Sequence, residues 1–172
     1  TIIDGGGVDG WCVKMMNVPA GARLEGFKVT HGRGLGTSGG GVYLYESSPT
    51  IRGNVITDNE VCGHGAGVYI RDSAPQIVDN TITGNHATLN GGGVRIWGGA
   101  ATFIGNRITG NTAGGYGGGV NVYLGSTLIL TDNTMSDNRA ARGAGLYVSE
   151  TSSVELTHNT ICGNVSERAA QN

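Results

Sequence analysis

The chain has 172 residues and a formal charge of −2, and 33 residues are glycine while only 3 are proline. The glycines follow no three-residue period, which excludes collagen, and an apolar fraction of 38% is too high for a disordered linker. Acids and bases are scattered, which leaves no electrostatic footprint for nucleic acid or an anionic membrane, and no run is long or apolar enough to span a bilayer.

Along the chain, Thr1 to Asp4 already reads as a strand, with no charged and apolar leader ahead of it, so the sequence is expected to be a segment of a longer protein. Phe27 to Gly32 is a weak first copy of a motif, N-x-[IM]-[TSC]-[DG]-N, that then starts at Asn54, Asn80, Asn106, Asn133 and Asn159. A second motif, G-[GA]-G-[VL], ends at Val42, Val68, Val94, Val120 and Leu146, each 26 residues after the last. The asparagine motif slips once, to 27 residues, and the slippages fall around Gly125-Ser126 and Arg139 to Arg142, where turn composition makes insertions cheap.

Each unit contains three short apolar-alternating stretches bounded by Gly, Asn, Ser or Pro, which predicts three strands per coil and almost no helix. A unit of this size cannot bury its apolar face alone, so neighbouring units must stack into parallel sheets. At ~4.8 Å per coil, about six coils make a rod roughly 30 Å long. The predicted inward columns are Val42, Val68, Val94, Val120, Leu146; then Ile51, Ile77, Phe103, Leu130, Leu156; then Val29, Ile56, Ile82, Ile108, Met135, Ile161. The paired asparagines are expected at bends, their amides bonding along the axis, and glycine before the first strand fits a corner or a close approach of coils.

The pairing of G-G-G-[IV] with N-x-[IF]-x-x-N resembles the repeats of secreted right-handed β-helix proteins, including the polymorphic outer-membrane protein repeats and the pectate-lyase-like superfamily, over Asp4 to Asn164. The expected fold is therefore an all-β, single-stranded right-handed parallel β-helix occupying residues 1–172 as one domain, with 165–172 a non-repetitive tail. The resemblance implies a secreted or cell-surface location. It leaves function open among structural or adhesive modules, polysaccharide lyases, hydrolases and epimerases.

Outward residues also stack in columns, so candidate sites are read down the coils. The sheet after the glycines presents Tyr43, Tyr69, Arg95, Asn121, Tyr147 and, beside them, Tyr45, Arg71, Trp97, Tyr123, Ser149. Rings that stack on pyranose faces and arginines that bond hydroxyls or uronate carboxylates make Tyr43, Tyr45, Tyr69, Arg71, Arg95, Trp97 and Tyr123 candidates for binding a polysaccharide or cell-surface glycan. The same residues also suit a ladder that merely covers the sheet, with Arg71 between Tyr45 and Trp97. Glu46 and Asp72 share one column a coil apart, a candidate acid and base pair for glycoside chemistry. Asp132 and His158 are a second vertical pair, in a column that starts at Asp79 and is broken by Gly105.

Other features are quieter. Cys12, Cys62 and Cys162 have no C-x-x-C spacing, and His31, His64 and His86 fall in segments read as variable loops, so no metal site or cofactor is predicted. Glycine runs that precede strands rather than helices give no phosphate loop. Thr30, Thr57, Thr83 and Thr109, continued by Ser136 and Cys162, form an outward column of the type that could order water on an ice-binding surface, although Lys28 and Arg107 interrupt its neighbour. The leading expectation is a structural or adhesive module with polysaccharide contact along the aromatic face. Uncapped ends would favour end-to-end association.

Overall fold

The computed structural model describes residues 1–34 and 38–167, so the last five residues of the predicted tail lie outside the described residues. The described chain contains strands and turns and no helix, wound as a parallel solenoid of about six turns. Every strand pairing is parallel, with partners about one repeat apart.

The predicted columns are the observed ones. Val42, Val68, Val94, Val120 and Leu146 are successive partners, as are Ile51, Ile77, Phe103, Leu130 and Leu156. The third column runs through Val29, Ile56, Ile82, Ile108, Met135 and Ile161. In the middle coils these side chains are fully buried and make one continuous core. Leu156 and Ile161, in the last described coil, are 51% and 44% exposed.

The structure adds a fourth, short strand to the three predicted for each coil. Glu60–Val61, His86–Ala87, Thr112–Tyr116, Arg139–Arg142 and Val165–Ser166 form their own parallel sheet. The segments read as variable loops, and the first residues of the predicted tail, belong to it. Each strand turns inward little more than one apolar residue, such as Val61, Ala87, Ala113 or Ala140, too short an alternation to register as a pattern. These residues fill satellite cores behind the glycine corner. Both predicted slippages are real: Trp97 pairs with Tyr123 but Ala100 with Thr127, and the register shifts again between Ala113 and Tyr116.

Two asparagine ladders hold the corners. Asn54, Asn80, Asn106, Asn133 and Asn159 form one, and Asn59, Asn85, Asn111, Asn138 and Asn164 the other. Each Oδ1 accepts from the backbone N–H and Nδ2 of the previous rung, and each Nδ2 also donates to a carbonyl of a preceding coil, for example Asn106 Nδ2 to Ile77 O at 2.7 Å. Buried backbone groups that a bend would strand are thereby paired. The residue before each rung is left-handed, with φ of 59° at Gly53, 56° at Asp58, 53° at Asp79 and 65° at Gly105, a conformation that favours Gly and Asp and is filled by Gly, Asp or His throughout both ladders. Where the second ladder meets Gly32, the Cys12 thiol stands in for the missing rung, 3.8 Å from Asn59 Oδ1. Burial pushes that thiol's pKa up.

The glycines before the first strand are required by proximity. A Cβ on Gly93 would lie 2.7 Å from the Gly119 carbonyl oxygen and 3.1 Å from Asn111 Nδ2. The strand that follows this tight corner turns Val94 and Ile96 into the core and its alternate residues to the opposite, aromatic face.

Candidate functional site

Alternation in Val42–Tyr45, Val68–Ser73, Val94–Ile104, Val120–Tyr123 and Leu146–Val148 puts the predicted aromatic and arginine positions on the outer face of one sheet, in the predicted register. They divide into two groups. Toward the N-terminal end, Tyr43 and Tyr69 stack with centroids 5.6 Å apart and planes 2° apart, and Trp11 tilts against Tyr43 at 5.1 Å. Trp11 donates from Nε1 to the Ser38 carbonyl, and Lys14 Nζ lies 4.4 Å from its ring centroid. Tyr69 is only 6% exposed and burial raises its pKa, so this residue supports the platform rather than displaying a ring.

The second group surrounds a cleft of about 380 Å³. Its walls are the rings of Trp97, Tyr123, Tyr116 and Tyr147, with Trp97 and Tyr123 centroids 5.3 Å apart and Tyr116 and Tyr147 4.5 Å apart. Asn90 also lines it. Arg95 and Asn121, adjacent partners across the two strands, also line the cleft and are 3% and 1% exposed. The predicted view of Arg95 as a displayed surface arginine is corrected: its guanidinium carbon lies 4.9 Å from the Trp97 centroid and 5.3 Å from that of Tyr123, and Nη1 donates to His64 Nδ1 at 2.9 Å. Burial and the Arg95 charge hold the His64 pKa down at about 4, so its ring is a neutral acceptor at pH 7. Arg71 lies over Tyr45 at 5.2 Å, while the arginine on Trp97 is Arg95, so the predicted ladder holds on one side only.

The carboxylate pairs are placed differently. Glu46 and Asp72 both occupy the left-handed corner that ends the first sheet, with φ of 46° and 48°. Asp72 is tied to Arg71 Nε at 3.3 Å, and the Glu46 carboxylate beside Tyr45 raises that hydroxyl's pKa. Asp132 and His158 sit at the corner before a ladder asparagine, with φ of 59° and 53°, and face each other at 3.7 Å with side chains 60% and 81% exposed. An exposed pair of this kind contributes about 0–1 kcal/mol. Backbone conformation accounts for Asp and His at these positions. Among the described residues no group of three or more His, Cys, Asp or Glu side chains is arranged to hold a metal ion. In the threonine column, Thr30, Thr57 and Thr109 are 2%, 8% and 7% exposed, so most of its hydroxyls are not offered to solvent as a flat array.

Sequence reading missed Trp11, Asn90, Tyr116 and His64 as members of the face, because they lie outside the strongly repeating stretches. Asn121 was visible in its column but carried no obvious chemistry. Its signal was that it and Arg95 interrupt a run of tyrosines.

A parallel coil with paired asparagine ladders and a glycine-packed corner defines a class, the right-handed β-helix. The model of the right handed beta helix region family matches residues 40–168, and the chain belongs to that family. No curated protein and no solved structure matches the chain.

Proposed function

We propose that this domain is a secreted or cell-surface β-helix module that holds polysaccharide on the outer face of its glycine-side sheet. The observation that carries the reading is the cleft walled by Trp97, Tyr116, Tyr123 and Tyr147 above two buried polar side chains. Aromatic walls suit the apolar faces of pyranose rings, and convergent polar groups fix their orientation. A rigid sheet presents both without an ordering cost on binding. The candidate carboxylates stand at exposed left-handed corners outside the lining of the cleft, which favours binding over hydrolysis.

Immobilised-glycan binding by the wild-type domain, compared with Trp97→Ala and Tyr123→Ala, tests the reading. A wild-type signal that falls about tenfold or more in each variant is expected, the equivalent of about 1.4 kcal/mol for a lost ring contact. Far-UV circular dichroism identical to wild type confirms that the variants fold. Wild-type protein that binds no glycan on a broad array overturns the proposal.

A further inference from the structure

We infer that His64 is the positioning residue of the aromatic cleft: its Nδ1 holds the two residues through which the cleft walls are set, so a proton taken up at that nitrogen loosens the walls and releases what they hold. Release by acid rests on the glycan-binding reading above and adds a means of regulation to it.

His64 is half-buried after the short strand Glu60–Val61, in the coil before the cleft, and is not part of the cleft lining. Two side chains converge on its Nδ1: Arg95 Nη1 at 2.9 Å and Asn90 Nδ2 at 3.3 Å. A guanidinium has donors only, so Nδ1 is the acceptor and the ring proton sits on Nε2. The Asn90 amide is fixed from its other end, where Oδ1 accepts from the Tyr116 N–H at 2.8 Å. Both partners line the cleft, and each is tied to a pair of its walls. The Arg95 guanidinium lies against Trp97 and Tyr123, while Tyr116, whose backbone Asn90 holds, packs against Tyr147. All four rings therefore trace back to one nitrogen.

Protonation reverses the role of that nitrogen. An imidazolium has two N–H donors and no acceptor, so it confronts the donors of Arg95 and Asn90 and sets a second positive charge 2.9 Å from the guanidinium. No anion offsets the two charges. The ion pairs among the described residues are Asp4 with His31, Arg52 with Asp79, Arg71 with Asp72, and Asp132 with His158, and the titratable groups that face Arg95 from the strands on either side are the phenols of Tyr69 and Tyr123. Burial and the Arg95 charge hold the His64 pKa at about 4, so Nδ1 accepts at neutral pH and takes up its proton in acid. The repulsion is relieved when the guanidinium leaves the nitrogen, which removes its support from Trp97 and Tyr123.

Glycan binding by the wild-type domain from pH 7 down to about pH 3, over the range in which circular dichroism shows folded protein, tests the device. Affinity is expected to hold steady in the neutral range and to fall about tenfold per pH unit below the His64 midpoint of about 4. His64→Ala removes the acceptor and is expected to weaken binding at pH 7 about tenfold. His64→Gln, whose amide oxygen accepts but does not titrate, is expected to recover most of that loss and to bind without the acid step. The Trp97 indole N–H resonance reads the wall with no ligand present; it is expected to shift with the same midpoint in the wild type and to remain fixed in His64→Gln. Unchanged binding by His64→Ala at pH 7, or an acid loss of equal size in His64→Gln, overturns the inference while leaving glycan binding in place. Binding to no glycan at any pH overturns the reading beneath it, and a Trp97 resonance that does not titrate then overturns the role of His64 as well.

Discussion

Asn106→Ala is expected to cost about 4 kcal/mol of folding stability. The Asn106 amide is 1% exposed and makes four hydrogen bonds: Oδ1 accepts from Asn80 N at 2.9 Å and Asn80 Nδ2 at 3.1 Å, and Nδ2 donates to Ile77 O at 2.7 Å and Asn133 Oδ1 at 2.9 Å. At about 0.5–1.5 kcal/mol net for each, the four bonds amount to roughly 2–6 kcal/mol, and the Asn80 N–H left unpaired inside the protein places the loss in the middle of that range or above. Asn159 sits in the same ladder and makes similar bonds, but in the last described coil, where its amide is half-buried and water can replace what is removed. Asn159→Ala should therefore cost about 1–2 kcal/mol. Urea unfolding followed by circular dichroism measures both. Equal losses, or a loss below about 1 kcal/mol at Asn106, would refute the claim that the ladders carry the corners.

Three further outcomes follow from the same geometry. Gly93→Ala places a methyl 2.7 Å from the Gly119 carbonyl oxygen and should cost about 1–3 kcal/mol, whereas Gly10→Ala, which meets nothing within 4 Å, should change the unfolding midpoint little. Asp132→Val forces a β-branched residue to φ near 59° and should cost about 1–2 kcal/mol, while Asp132→Gly is tolerated; a tolerated valine would remove the conformational explanation of that aspartate. His64 has a folded pKa of about 4 against 6.5 for the free side chain, so the unfolded chain binds the extra proton between these values. Its contribution is complete above pH 6.5 and is lost as pH falls toward 4, on the order of 2 kcal/mol for this partly screened ring. The pH dependence of the wild-type midpoint should be steeper in that window than that of His64→Gln, and parallel curves would contradict it.

The core and the corners were legible because stacking makes each coil face the same demands as the next. Val68, Val94 and Val120 are vertical neighbours in one column and face the same core, so one residue type recurs and the spacing is visible without any structure. The ladders were legible for the same reason, since each asparagine is bonded by another asparagine. The fourth strand was not, because an inward Ala87 or Ala113 leaves no alternation to count. The burial of Arg95 was also hidden: it depends on the rings of Trp97 and Tyr123 closing over it and on His64, which reaches it from the preceding coil.

In a solenoid, repetition is the signature of structure and its interruption the place to look for function. Glu46, Asp72, Asp132 and His158 had the residue types that catalysis uses, but all four stand at exposed left-handed corners, the first pair in a column that also holds Gly98 and Leu124 and the second in a column that also holds Asp79 and Gly105. Arg95 and Asn121 do the opposite. They replace tyrosine in a column where Tyr43 and Tyr69 stack and Tyr147 returns, and they leave buried polar atoms unpaired where a third and fourth ring would have left none. An uncompensated buried charge opposes the fold that contains it, so packing alone does not account for the pair. The proposed binding face rests on these two coils, rather than on the better-stacked end of the same sheet, because both residues line the aromatic cleft.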